Sequence, residues 1–243
     1  MPGIIALVGS GEFLPAMAEV DRYLLGRLRS AQPRVVVLPT AAGQEGPASV
    51  KRWSRMGVGH FERLGARAES LPIVDRASAA NPAHVERLRA AEWVYFSGGD
   101  PVYLHATLQG TPAWSAVLEV LARGGIYAGC SAGAMILGAG MADIRRPDSL
   151  KLIPAFSLLP RTIVLPHFDR LESFRPGATA RLRSQLPQGL AMAGIDEDTA
   201  LVGEDGRWQV MGRSGVSLLT AIDETRYSSG MQVQLNGPTT TAE

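Results

Sequence analysis

What the chain has little of narrows it first. Cys130 is its one cysteine among 243 residues, which excludes an internal disulfide framework and a cysteine-rich zinc site. Charge is nearly balanced, with 24 Lys and Arg against 23 Asp and Glu for a formal net charge of +1. Composition therefore gives no reason to expect nucleic acid or a membrane surface as a partner. No apolar stretch approaches the roughly 20 residues that span a bilayer. The opening Met1-Pro2-Gly3-Ile4 lacks a basic segment, and its apolar run is too short for a secretion signal, so a cytoplasmic location is expected. Neither G-x-x-x-x-G-K-[ST] nor H-E-x-x-H occurs, and no cofactor or metal is expected.

What is present is ordinary globular composition, 46% hydrophobic and 19% charged. The length fits one large α/β domain, expected over residues 1–235 with a loose polar tail at 236–243. Apolar runs suited to strands buried on both faces occur at Ile4–Val8, Val35-Val36-Val37-Leu38, Trp93–Phe96 and Thr162–Leu165. A further short strand is expected at 71–74. Between the runs, Met17, Val20, Leu24 and Leu28 recur at helical spacing, as do Trp114, Val117, Leu118 and Leu121. A helix is expected near 49–64, and Asn81-Pro82 reads as a helix start. Alternating strands and helices predict a mostly parallel central sheet with helices on both faces. Near the end, 199–202 and 208–211 flank Glu204-Asp205-Gly206, which predicts an antiparallel hairpin.

The segment Gly129-Cys130-Ser131-Ala132-Gly133-Ala134 fits G-x-S-x-G, between an apolar strand and a helix-compatible run. In that setting the serine sits on a tight strand-to-helix turn, and flanking glycines relieve crowding. Ser131 is the candidate nucleophile, and the backbone N–H of Ala132 can face an oxyanion. Cys130 is the rival, being intrinsically more reactive, but the glycines bracket Ser131.

A serine hydroxyl needs a base, and the histidines are His60, His84, His105 and His167. His167 follows a buried strand and should emerge at the strand C-termini, where the crevice of an open α/β sheet lies. It is the candidate base. The orienting acid stays open among Asp143, Asp148, Asp196, Glu197 and Asp198. Gly98-Gly99, at the end of another strand, is positioned to supply a second oxyanion N–H.

Together these segments resemble the aspartyl dipeptidase (dipeptidase E) and cyanophycinase family, whose fold is similar to class I glutamine amidotransferases. The matching stretches are Gly9-Ser10-Gly11-Glu12, Phe96-Ser97-Gly98-Gly99-Asp100, Gly129 to Ala134, Pro166-His167-Phe168 and Gly194-Ile195-Asp196-Glu197-Asp198-Thr199-Ala200-Leu201. The resemblance implies a serine peptidase acting on short, often aspartyl, peptides. It implies Ser131 as nucleophile, His167 as base, and Gly99 and Ala132 as oxyanion donors. It places the acid in the loop between nucleophile and histidine, where Asp148 is favoured and Asp143 is the alternative. The Ser- and Gly-rich stretch that carries the acid in cyanophycinases is missing there, which argues against cyanophycin itself as substrate. An acidic substrate group would want an arginine fork. Arg170 is the best placed by sequence, ahead of Arg145, Arg146 and Arg175. Two other classes remain: an amidotransferase-like enzyme working through Cys130, and a non-catalytic ligand-binding member of the fold. A small peptide is the expected partner. A homodimer is left open, with no interface motif to mark it.

Overall fold

The computed structural model describes residues 3–143 and 151–235. The strands are β1 (Ile4–Val8), β2 (Arg34–Leu38), β3 (Arg67–Ser70), β4 (Trp93–Phe96), β5 (Ile126–Cys130), β6 (Met141–Ala142), β7 (Leu152–Ile153), β8 (Thr162–Leu165), β9 (Ala191–Ile195), β10 (Thr199–Glu204), β11 (Arg207–Gly212), β12 (Gly215–Leu219), β13 (Glu224–Ser228) and β14 (Gln232–Val233). The helices are α1 (Ala18–Leu25), α2 (Pro47–Arg63), α3 (Arg76–Ala80), α4 (Pro82–Arg89), α5 (Pro101–Leu108), α6 (Pro112–Ala122), α7 (Ala132–Met135), α8 (Phe168–Phe174) and α9 (Ala178–Ser184).

The main sheet has eight strands in the order β14-β11-β10-β1-β5-β4-β2-β3. Its β1, β5, β4, β2 and β3 run parallel, and β10, β11 and β14 add antiparallel to one side. Strand alternation sorts the apolar side chains onto two faces. Ile5, Leu7, Val36, Leu38, Val94, Phe96 and Tyr127 pack with residues of α3 to α7. Ile4, Ala6, Val8, Val35, Val37, Trp93, Tyr95 and Cys130 pack with α1 and α2. This is the α/β architecture with helices on both faces. The hairpin lies between β10 and β11, with Asp205 and Gly206 both at positive φ (48° and 77°) as a tight primed turn requires.

Two details differ from the sequence reading. The strand expected at 71–74 is β3, at Arg67–Ser70, and Leu71 and Ile73 follow it in irregular chain while fully buried. Among the described residues β3 is an edge strand that pairs only with β2, and its polar side chains hid it. In addition, β8 does not join the main sheet. It forms a second, four-stranded sheet in the order β13-β12-β9-β8, with β8 and β9 parallel. That pairing brings together the residues that follow β8 and β9. The tail 236–243 lies outside the described residues.

Candidate active site

Ser131 sits where β5 meets α7. Its N–H still donates to Val8 O at 2.9 Å, continuing the β1–β5 ladder, and then the chain turns sharply, with Ser131 at φ 49° and ψ −105°. Ala134 N–H and Met135 N–H both donate to Ser131 O at 3.0 Å, so the helix begins at once. The motif glycines permit this closeness. A Cβ on Gly129 would lie 2.3 Å from the carbonyl of Gly133, and one on Gly133 would lie 2.8 Å from Phe96 Cβ. Because the obstacle at Gly129 is backbone, Gly129→Ala must push α7 off the sheet. We expect it to cost about 2–3 kcal/mol and to lower Tm by roughly 5–10 °C; calorimetry showing an unchanged Tm would refute this packing.

His167 follows β8 and Glu197 follows β9. Leu165 and Gly194 are partners in the parallel register, so the two chain ends leave the second sheet side by side. The ring of Phe168 lies against Gly194, where an added Cβ would meet it at 2.4 Å. His167 itself is left-handed, at φ 51° and ψ 37°. Its Nε2 stands 3.2 Å from Ser131 Oγ, and its Nδ1 stands 3.0 Å from Glu197 Oε1. A carboxylate only accepts, so Nδ1 carries the proton toward Glu197 and Nε2 is left to accept from the serine. Arg170 Nε donates to Glu197 Oε2 at 3.1 Å, and Glu197 N–H donates to Asp169 Oδ1 at 2.9 Å. The hydrogen bond from His167 is the main cause that holds the Glu197 carboxyl below the ordinary carboxylate range; burial opposes it and Arg170 adds to it.

The other expected residues fall as follows. Ala132 N–H, first of its helix, has no intrahelical partner. Gly99 has φ 143° and packs against Ala41, whose carbonyl oxygen would lie 2.4 Å from a Cβ there. Gly98 faces Ser131, with 3.4 Å between an added Cβ and Ser131 Cβ. Thus the loop after β4 borders the serine. Arg170 is committed through Nε to Glu197. Asp148, Arg145 and Arg146 lie outside the described residues. Asp196 is fully buried and turned the other way, its Oδ2 accepting from Ser214 Oγ at 2.6 Å, from Gly215 N–H at 3.2 Å and from Arg226. Asp198 pairs with Arg213 at 3.8 Å.

Cys130 is fully buried, and its thiol donates to Glu12 Oε2 at 2.9 Å. Burial, reinforced by the negative charge of Glu12, pushes this thiol well above its ordinary pKa, so it stays protonated at neutral pH. The remaining histidines are structural in their surroundings. His60 Nε2 meets Asp21 Oδ2 at 2.8 Å in a buried pair, His105 packs on Phe156, and His84 Nδ1 lies 3.0 Å from Ser78 O. Nothing in the sequence singles out Glu12, and the signal for β9 is weak: its run of small apolar residues ending in Asp196-Glu197 parallels the run ending in His167. Among the described residues no group of three His, Cys, Asp or Glu side chains is arranged to hold a metal ion. No helix there is long and apolar enough to cross a membrane.

Comparison with known proteins places the chain in a family. The family model described as Peptidase family S51 matches residues 5–211. The chain belongs to Peptidase family S51. It is a peptidase of a serine-type hydrolase family. A crystal structure of a peptidase from an acI-B1 Actinobacterium is 36% identical, with a TM-score of 0.87 and coverage of 96% of this chain and 97% of that one. A cyanophycinase of Nostoc sp. is 29% identical over 97% of this chain and 79% of its own length. A solved structure from Listeria monocytogenes EGD-e shares the fold at 22% identity, with a TM-score of 0.60 over 87% of this chain and 98% of that one.

Proposed function

We propose that this S51 peptidase hydrolyses short peptides through an acyl-enzyme on Ser131, with His167 as base and Glu197 as the acid that orients it. The observation that carries this reading is the unbroken chain Ser131 Oγ, His167 Nε2, His167 Nδ1, Glu197 Oε1, at 3.2 and 3.0 Å. Ser131 Oγ attacks the peptide carbonyl as His167 Nε2 takes its proton. The oxyanion is held by the N–H groups of Ala132 and Gly99. His167 then protonates the leaving amine, and a water activated by the same Nε2 releases the acid product. Glu197 holds the ring in the required tautomer and stabilises the imidazolium. Arg170 and Asp169 hold Glu197.

Aspartyl and β-aspartyl peptides are the preferred class. The similarity to a cyanophycinase supports this, as do the arginines of the chain following His167. Because Arg170 Nε is used by Glu197, its part in substrate binding is limited to its remaining donors. The test is a panel of Asp-X dipeptides, β-Asp-Arg and non-acidic dipeptides offered to the wild type. Aspartyl members are expected to have kcat/KM at least about tenfold higher, the scale of one charge-assisted contact. Equal rates on the non-acidic controls would overturn the specificity, and no turnover of any peptide would overturn the short-peptide reading.

A further inference from the structure

Three parts of the candidate site meet at the turn that follows β1. A Cβ on Gly9 would lie 2.0 Å from Asp196 O, and one on Gly11 would lie 2.3 Å from Asp198 Oδ1. The turn is thus packed against both neighbours of Glu197. On its other side Glu12, 7% exposed, accepts Gly98 N–H on Oε1 at 2.9 Å and the Cys130 thiol on Oε2 at 2.9 Å. The backbone is left-handed on both sides of Glu12, at Gly11 (φ 86°) and Phe13 (φ 64°). A phenylalanine stays in that region only where its surroundings fix it. Phe13 is buried against Tyr95, Phe61, Trp53 and His60.

Glu12 has no Arg, Lys or His within ion-pair distance among the described residues. A buried carboxylate held only by an amide and a thiol is a poor stabiliser compared with a well-packed apolar side chain. Its geometry has another consequence. The Gly98 N–H is turned toward Glu12, and the next peptide follows with Gly99 at φ 143°. That bond anchors the Ser97–Gly98 peptide, the unit directly before the one that carries Gly99 N–H.

We propose that Glu12 is a positioning residue of the candidate active site. Its carboxylate anchors the Ser97–Gly98 peptide, so that the next unit presents Gly99 N–H to the developing oxyanion, and through Cys130 it ties this loop to the strand carrying Ser131. This rests on the serine peptidase reading above.

The test uses a fluorophosphonate, which needs no knowledge of the natural peptide. Ser131 Oγ bonds to phosphorus, fluoride leaves, the serine proton passes to His167, and the phosphoryl oxygen occupies the oxyanion position. In Glu12→Ala the limiting labelling rate is expected to fall roughly 100-fold, the scale of losing one oxyanion donor. The half-saturating concentration is expected to stay within about threefold, because ground-state binding does not use that donor. Glu12→Gln keeps an acceptor for Gly98 N–H, though a neutral and weaker one, and is expected to recover to within about tenfold of wild type. If Glu12→Ala does not fold, Glu12→Asp serves instead. One methylene shorter, it cannot keep both bonds, and the same rate loss is expected. A folded Glu12→Ala or Glu12→Asp labelled at the wild-type rate would overturn the proposal, as would Glu12→Gln as slow as Glu12→Ala. Failure of the underlying reading looks different: wild type would then escape labelling at Ser131, or Ser131→Ala would label equally, and the proposal would fall with it.

Discussion

Ser131→Ala is expected to lower peptide hydrolysis by roughly 10⁴-fold or more, and His167→Ala by a similar factor, because nucleophile and base act as one unit. The double variant should be little worse than either single one. Cys130→Ala should retain most of the activity. The contrast follows from the geometry. Ser131 Oγ lies 3.2 Å from His167 Nε2, on a turn whose backbone is forced to φ 49°. The Cys130 thiol is enclosed on the α1–α2 side of the sheet, with Glu12 as its hydrogen-bond partner. Its elevated pKa denies it the thiolate form that makes cysteine a nucleophile. Removing it also leaves the Gly98–Glu12 bond in place. Rate assays on the four variants decide the matter. Loss of activity with Cys130→Ala, and its survival in Ser131→Ala, would assign the chemistry to the thiol and overturn the serine reading.

Glu197→Gln is expected to lower kcat by roughly 10³–10⁴-fold with little change in KM, as removal of a triad acid does. A neutral amide can donate to Nδ1, which leaves the proton on Nε2, where it blocks abstraction from Ser131. The carboxyl of Glu197 sits below the ordinary carboxylate range, chiefly through its hydrogen bond with His167. A carboxyl depressed in the folded state stabilises that state above its unfolded pKa, and the contribution is lost as pH falls through the folded value. Glu197 is therefore ionised at neutral pH and stays so into mild acid. Asp148→Asn and Asp143→Asn should leave kcat nearly unchanged. A large loss in Asp148→Asn together with an active Glu197→Gln would return the orienting role to the loop between Ser131 and His167.

The placement of Glu197 beside His167 shows where sequence is readable and where it is not. β1, β2, β4 and β5 are legible because strands buried on both faces must be apolar throughout, and few other elements look like that. Ser131 is legible because the close approach of α7 to β5 demands glycine at 129 and 133. The Asp205-Gly206 turn is legible because both positions need positive φ. β9 is not, since Ala191-Met192-Ala193-Gly194-Ile195 holds one β-branched residue and has no strong strand propensity. Without β9 there is no second sheet, and nothing in the sequence sets Glu197 beside His167. The choice between adjacent acids is likewise tertiary. Asp196 turns into the buried bonds of Ser214, Gly215 and Arg226, while Glu197 turns out toward the imidazole. Glu12 is invisible for the same reason: its partners, Gly98 and Cys130, are 86 and 118 residues away.

The most direct measurement is mass-spectrometric mapping of the protein after fluorophosphonate treatment at neutral pH. One adduct is expected, on the peptide containing Ser131, absent in Ser131→Ala and strongly slowed in His167→Ala. An adduct on another residue, or a folded wild type that takes up none while it still cleaves peptides, would contradict the assignment of Ser131 as nucleophile.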